Sequence, residues 1–230
     1  MSMVEEKDYF YARQYAYDLL RRIFIEEPTV EFMHFLQKDK NLKHFPFANQ
    51  NEHIQSAITQ LKNYLKKSAF KTGEDDFENL HWDYTRLFIG PEAPPAPPWE
   101  SVYVSKDKLL FQESTNAVKR FYESSGFKLE NSEHEAADHI GFELDFMYHL
   151  SSQSIENLEK SKTLKTLLEQ QNKFLQNHLL AFSNAFTRNM IQYADTDFYR
   201  ACAVILQEFL THDQQWADSV LKKKVPPQWQ

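Results

Sequence analysis

Apolar side chains recur every three or four residues along most of the chain, which is the spacing of one face of an α-helix. No convincing period-two alternation and no two-residue hairpin signal interrupts that pattern, so the sequence predicts an all-α protein, a helical bundle. The predicted helices cover residues 8–25, a short segment after Pro28, residues 51–67, residues 75–89, a segment capped by Ser114 or Thr115 and ended by Gly126, residues 133–150, residues 155–193 as one long or two shorter helices, and a last helix opened by Thr196 or Asp197.

Little in the chain separates one domain from another. Linker-like stretches occur at residues 38–50, in a proline-rich loop and at residues 126–133, and none divides two different compositions. Nothing repeats at a fixed period. We therefore expect a single domain over residues 1–230, with residues 1–70 as the alternative of a small N-terminal helical part.

The proline-rich loop follows the helix predicted at residues 75–89. Five of the nine prolines lie between Pro91 and Pro98, and Trp99, Glu100 and Tyr103 come directly after them. Proline fixes φ and removes a backbone donor, so this loop is predicted to be stiff and extended. A stiff loop that ends in a tryptophan favours a role in shaping a binding surface.

Composition excludes several functions. The net charge is −7 and no basic stripe is present, which argues against nucleic acid and favours a basic peptide or protein as partner. The sequence lacks both the G-x-G-x-x-G and the P-loop motif. The single cysteine, Cys202, excludes an intramolecular disulfide and an all-cysteine metal site. No apolar run approaches the length of a membrane span, so no membrane insertion is expected.

Arg21 and Arg22 match the core of a twin-arginine export signal, but Glu26, Glu27 and Pro28 follow where such a signal needs an apolar region. The arginine pair also lies within the apolar periodicity of the first helix. We therefore expect the protein to stay in the cytoplasm.

A second informative stretch, residues 133–150, combines carboxylates and histidines with apolar residues nearly all round the predicted helix. Such groups are costly to bury unless they are paired or bind a ligand. In the simplest interpretation Asp138 caps the helix and His139 satisfies a backbone carbonyl. In another, Asp138, His139 and Glu143 form an acid/base or metal site of a helical hydrolase.

Metal sites are weakly indicated. The segment from His134 to Asp138 resembles the zinc-binding H-E-x-x-H helix, but aspartate stands in the second ligand position. A di-iron bundle needs two E-x-x-H units plus two further glutamates. The chain has two such units, Glu31 to His34 and Glu78 to His81, where roughly one is expected by chance, so they decide little. We assign no catalytic residue, metal ligand or cofactor.

Together the two stretches resemble the TorD/DmsD family of redox-enzyme maturation chaperones. The resemblance is clear over roughly residues 80–180, where the order and separation of the motifs match. It rests on Asp83-Tyr84-Thr85-Arg86-Leu87-Phe88-Ile89-Gly90-Pro91, on Ala96-Pro97-Pro98-Trp99-Glu100-Ser101-Val102-Tyr103, on Glu135-x-x-Asp138-His139 leading into Glu143-Leu144, and to a lesser extent on Leu110-Phe111-Gln112-Glu113-Ser114 and Phe174-Leu175-x-x-His178-Leu179. One departure is Ala136, which stands where the family usually has proline after the glutamate.

The resemblance implies a non-enzymatic cytoplasmic chaperone. Its partners are the twin-arginine signal peptide and the folded body of a molybdenum-cofactor oxidoreductase, which the chaperone holds for cofactor insertion before export. A nitrate-reductase-type client, which is not always exported, is the alternative within the same fold. The resemblance leaves open a monomer or a domain-swapped dimer, and its link to guanine nucleotides has no counterpart in the motifs of this chain.

The resemblance also implies which residues bind the peptide. Tyr84, Leu87 and Phe88 would form an apolar wall at helical spacing, with Asp138 and His139 supplying charge and a hydrogen bond to an arginine. The residues aligned with the peptide-binding pocket are Tyr84, Leu87, Phe88, Pro98, Trp99, Asp138 and His139, with Glu100 and Glu143 as possible additions to the acidic field.

Overall fold

The structure is a computed structural model, which describes residues 3–38, 40–105, 107, 109–129 and 135–222. Over these residues the chain is helical, with an isolated antiparallel bridge between Trp99 and His139 but no β-strand, so the all-α prediction is confirmed. The helices are α1 Met3–Ile25, α2 Val30–Gln37, α3 Lys40–Lys43, α4 Glu52–Lys67, α5 Asp75–Tyr84, α6 Glu100–Val104, α7 Glu113–Ser124, α8 Ile140–Glu156, α9 Ser161–Phe174, α10 Leu180–Tyr193 and α11 Asp197–Lys222.

Two π-helical turns continue these helices. Thr85–Ile89 extends α5, and Leu175–Leu179 joins α9 to α10. Their hydrogen bonds span five residues rather than four, as between the Gly90 N–H and the Thr85 oxygen at 2.7 Å. Single π turns of this kind are frequent at functional sites. Both coincide with sequence segments that carry the family resemblance.

Four predicted helix starts are wrong. Helix α1 begins at Met3 rather than at residue 8, and α9 begins at Ser161 rather than at residue 155. The helix expected at residues 133–150 begins at Ile140, since residues 135–139 form a turn whose last residue, His139, is the N-cap. Glu133 and His134 lie outside the described residues. Helix α7 begins after Gln112, whose backbone is extended and whose side chain makes no capping hydrogen bond. Ser114 and Thr115, the expected capping residues, lie inside the helix instead.

The described chain divides into two compact units. Unit 1 comprises the described residues within 1–22, 99–182 and 210–230, and unit 2 comprises those within 23–98 and 183–209. Helices α1, α10 and α11 contribute residues to both. Neither unit corresponds to residues 1–70, and the number of domains stays a prediction.

Unit 1 is organised around a buried ion pair. Asp213 on α11 accepts hydrogen bonds from the Nε and Nη2 atoms of Arg13 on α1, the latter at 2.8 Å. The hydroxyls of Tyr17 and Tyr9 donate to the same carboxylate, at 2.6 and 3.3 Å. Arg13 and Asp213 are fully buried, and Trp216 stacks on the guanidinium with its ring centre 4.9 Å away. The carboxylate is thus paired and hydrogen-bonded, as a buried charge must be.

Unit 2 has an aromatic core and a buried aspartate of its own. Phe88 packs against Phe24, Phe186 and Tyr199, with ring centres 5.5 to 6.1 Å apart. Asp83 accepts from the backbone N–H and hydroxyl of Thr196, at 2.8 and 2.7 Å. This carboxylate therefore caps the start of α11, which opens at Thr196 and Asp197 as predicted.

The proline-rich loop begins at Gly90 and folds back onto the π turn before it. Gly90 has φ 56° and ψ 157°, a conformation essentially restricted to glycine. A Cβ atom there would lie 2.7 Å from the Glu92 oxygen. The Ala96 N–H then donates to the Leu87 oxygen at 3.0 Å, and both Ala96 and Pro98 are buried.

In the described part of the chain, no helix is both long enough and apolar enough to cross a membrane.

Replacing Asp213 by alanine is predicted to lower the free energy of unfolding by about 3–5 kcal/mol, because it leaves the Arg13 guanidinium buried without its counter-charge. Urea denaturation followed by circular dichroism measures this loss. Asp8→Ala, an exposed aspartate of α1, is the matched control and should change stability by no more than about 0.5 kcal/mol. Equal small effects for both variants would contradict the central role of the ion pair.

Candidate functional site

The predicted site residues fall into two groups, one in each unit. Unit 2 contains Tyr84, Leu87, Phe88 and Pro98, whereas unit 1 contains Trp99, Glu100, Asp138, His139 and Glu143. Each group is described within its own unit.

The aromatic and aliphatic residues of unit 2 point into its core. Leu87 is fully buried, Phe88 is 3% exposed, and Tyr84 packs on Phe88 with ring centres 5.1 Å apart. The exposed apolar side chains of this segment are instead Trp82, 63% exposed, and Ile89, 50% exposed. Sequence periodicity does not identify either residue. For Ile89 the reason is the π turn, which shifts residues after Thr85 out of regular α-helical register, whereas Trp82 precedes that turn.

Within unit 1 the residues after the proline loop pair with the turn before α8. The Glu100 N–H donates to the Asp138 oxygen at 3.0 Å. The half-buried Trp99 ring meets the His139 ring edge-on, with centres 5.7 Å apart. The Trp99 Nε1 atom is buried and has no hydrogen-bond acceptor in the described part of the chain. Trp99 thus carries an unused donor beside His139.

Asp138 caps a helix, but not the helix predicted from the sequence. Its Oδ2 atom accepts from the Ser101 N–H at 2.7 Å, near the start of α6, and the residue is fully buried. Its Oδ1 atom has no hydrogen-bond partner among the described residues. A buried carboxylate oxygen without a donor is energetically costly. Asp138 therefore anchors α6 with one oxygen and leaves the other unused.

His139 caps the helix that follows it. Its Nδ1 atom accepts from the Gly141 N–H at 3.1 Å, so the interpretation that it satisfies a backbone carbonyl is wrong. With Nδ1 used as an acceptor, the remaining hydrogen lies on Nε2. Burial lowers the pKa of His139 from 6.5 to about 4. The imidazole is therefore neutral at pH 7.

Glu100 and Glu143 form a buried carboxyl pair next to Asp138. The Glu100 Oε2 atom lies 3.0 Å from Nδ1 of His178, which sits in the second π turn. Burial raises the pKa of Glu143 well above its usual value, and the charges of Glu100 and Asp138 and a hydrogen bond with the Glu100 carboxyl group add to this effect. Neither Glu143 oxygen accepts from any donor group of another described residue. This shift favours the protonated form of the Glu143 carboxyl group.

Two residues missed by the sequence reasoning belong to this cluster. His178 pairs with Glu100, although its segment carries only a lesser part of the family resemblance. The buried hydroxyl of Tyr122 donates to the Ala137 oxygen at 3.0 Å. Burial and the nearby carboxylates Glu143 and Asp138 raise the pKa of Tyr122 well above its usual value. No local pattern marks Tyr122 as more than a core residue of α7.

A cleft of about 360 Å³ lies in unit 1 beside the carboxyl groups of Glu100, Asp138 and Glu143. Tyr122, which is near Glu143 and Asp138, lines this cleft together with Ala137, and Phe111 and Phe127 add apolar surface to it. Phe111 is 65% exposed and has a φ of 57°, which is strained for a bulky side chain.

The geometry does not favour the hydrolase alternative. Asp138 and His139 each hold a backbone N–H at a helix start, which leaves neither arranged as a nucleophile–base pair. No group of three or more potential metal ligands occurs in the part of the chain that the structure describes. Glu31 and His34 are exposed on the short helix α2, while the His81 imidazole approaches Glu27 at 3.3 Å.

The pKa of His139 predicts a pH-dependent stability. The unfolded chain takes up a proton near pH 6.5, whereas folded His139 resists protonation until about pH 4, so stability is complete above pH 6.5 and falls as the pH drops toward 4. The loss amounts to about 3 kcal/mol. His139→Asn keeps a capping acceptor without a titrating ring, and urea denaturation across this range should show a smaller pH-dependent loss for it than for the wild type. Parallel curves would contradict this assignment.

Comparisons with known proteins place the chain in a family. Residues 48–188 match the family model described as "Nitrate reductase delta subunit". The chain is 27% identical to the "Chaperone protein TorD" of Vibrio cholerae over 75% of its own length and 73% of that protein. It is 31% identical to the "Tat proofreading chaperone DmsD" of Salmonella typhimurium over 70% and 71%, and 31% identical to the "Probable Tat proofreading chaperone DmsD" of Haemophilus influenzae over 60% and 61%.

These relatives are named as chaperones and not as enzymes, in agreement with the expectation of a non-enzymatic protein. The family match covers more than half of the chain and includes the Thr85–Ile89 π turn, the Asp138-His139 turn and the His178 segment. The chain therefore belongs to the TorD/DmsD family of chaperones.

Proposed function

We propose that this chain is a cytoplasmic chaperone that binds the twin-arginine signal peptide and the folded body of a molybdenum-cofactor oxidoreductase. The chaperone holds its client until the cofactor has been inserted, and then releases it for export. The observation that carries this proposal is family membership over residues 48–188, together with relatives named as Tat proofreading chaperones.

The unused polar atoms of unit 1 suit such a peptide. The Asp138 Oδ1 atom is a buried acceptor without a donor, and an arginine side chain offers five N–H donors and no acceptor. The Trp99 Nε1 atom is a buried donor without an acceptor, which a peptide carbonyl supplies. Binding that satisfies both atoms recovers the cost of leaving them unpaired.

Within unit 2, the candidates for contact with the apolar part of a peptide are exposed side chains and not the residues expected from the sequence. In the structure Tyr84, Leu87 and Phe88 are core residues, so we assign them the task of fixing the π turn and the start of the proline loop. The exposed apolar surface of the same segment comes from Trp82 and Ile89. Exposed rigid aromatic side chains are favoured as anchors in peptide recognition.

The test is isothermal titration of the purified protein with a set of twin-arginine signal peptides, each beside a version in which both arginines are replaced by alanine. The proposal requires saturable binding of at least one peptide, weakened at least about tenfold by the alanine replacement, because charge-assisted hydrogen bonds to the arginines are lost. Absence of binding to every peptide contradicts the signal-peptide function. Equal binding of both members of a pair contradicts recognition of the arginines.

Asp138→Asn separates charge recognition from capping. Asparagine keeps an oxygen for the Ser101 N–H but removes the negative charge, so peptide affinity should fall about tenfold while the urea midpoint changes little. Asp138→Ala removes the negative charge and also the oxygen that accepts from the Ser101 N–H, so it should lower stability as well as affinity. Asp8→Asn, far from helix α6 in sequence and exposed, serves as the charge control. Unchanged affinity in Asp138→Asn would leave Asp138 with the capping role alone.

A further inference from the structure

We propose that the carboxyl cluster of Glu100, Asp138 and Glu143 exchanges its bound proton for a guanidinium group of the client, so that client binding releases one proton to the solvent. This inference rests on the proposed function, since the cation is an arginine of the bound peptide. The proton leaves the Glu143 carboxyl group and no covalent bond other than that O–H bond is broken.

Three acidic side chains of unit 1 have fewer hydrogen-bond donors around them than their carboxyl oxygens can accept. They come from the start of α6, from the turn before α8 and from α8 itself, and none is more than 3% exposed. One oxygen of Glu100 pairs with His178, and one oxygen of Asp138 holds the Ser101 N–H. The second oxygen of Asp138 and both oxygens of Glu143 receive no donor from another described residue.

Among the described residues, the ion-pair partner of these carboxyl groups is His178 and not a lysine or arginine, so the free cluster balances its charge with bound protons. Each charge that shifts the pKa of Glu143 is negative, namely those of Glu100 and Asp138. Around them stand neutral His139 on the turn, Tyr122 on α7, and His178 on the π turn. Buried carboxylates so close together cannot all ionise, so one of them retains its proton.

An arginine changes that balance. A guanidinium remains charged at all relevant pH values and forms paired hydrogen bonds with carboxylate oxygens. An opposite charge within a few ångströms favours the ionised form of a carboxyl group, so Glu143 loses its proton when the guanidinium arrives. The three unused oxygens then become acceptors for its N–H groups. A lysine ammonium has fewer donors and no planar fork, which makes arginine the better ligand.

The cluster has a neighbouring surface from which a side chain can approach. Tyr122 and Ala137 line the cleft of about 360 Å³ and are hydrogen-bonded to each other at 3.0 Å. Ala137 directly precedes Asp138, and Tyr122 is close enough to Glu143 and Asp138 for their charges to shift its pKa. A guanidinium group that enters through this cleft must separate Tyr122 from Ala137 to reach the carboxyl groups.

Calorimetry in pairs of buffers with different ionisation enthalpies measures the exchange directly. At one pH, the observed binding enthalpy should change between buffers by the amount that corresponds to about one proton released per wild-type complex with a twin-arginine peptide. The dissociation constant should also fall by up to about tenfold for each unit of rising pH, as linkage requires for one released proton. Glu143→Gln should bind without proton release, whereas Glu156→Gln, an exposed glutamate of the same helix, should behave as the wild type.

A second measurement requires no ligand. The infrared spectrum of the free protein at neutral pH should contain the carbonyl stretch of a protonated carboxylic acid, and Glu143→Gln should lack it. Absence of that band from the wild type overturns the inference.

The outcomes separate the two proposals. Peptide binding without proton release overturns the exchange and leaves the chaperone function standing. No binding of any twin-arginine peptide overturns both. Proton release that persists in Glu143→Gln overturns the assignment to Glu143, and the wild-type measurement stands by itself if that variant does not fold.

Discussion

Each unit of this chain depends on a buried aspartate that holds the start of a helix distant in sequence. Asp83 holds the N-terminus of α11 in unit 2, and Asp138 holds that of α6 in unit 1. Each carboxylate supplies the negative charge that a helix start favours and the acceptor that its N–H groups require. Both aspartates belong to the segments that carry the family resemblance. These motif residues therefore join separate stretches of the chain.

In the proposed function, Asp138 would serve structure and recognition together. A carboxylate has two oxygens, and a helix cap uses only one of them. The second oxygen is held in place by the bond that the first makes, so no conformational freedom is lost when a ligand arrives. His139 contributes in a similar way, because its Nδ1 atom caps α8 while its ring contacts Trp99. Rigidity in this region thus comes from the same bonds that define the fold.

Apolar spacing and capping chemistry are enough to predict part of the fold from the sequence. They predict the helical class, the end of α7 near Gly126 and the start of α11. The start of α8 does not, because the apolar pattern continues through residues 135–139 while the backbone forms a turn there. The burial of Leu87 and Phe88 is compatible with the pattern, but their π turn is not visible in it. The Glu100–His178 pair joins residues 78 positions apart, so its partners become neighbours only through tertiary packing.

The π turns also fix the number of residues that each of these two helical segments must contain. Each contains one residue more than a regular α turn requires. Loss of one residue from Thr85–Ile89 would let the helix return to α geometry and rotate every following side chain by about 100° around the axis. Leu87 and Phe88 would then leave the core even though their identities were unchanged. At this point in the chain, the loss of one residue is therefore a larger structural change than a substitution.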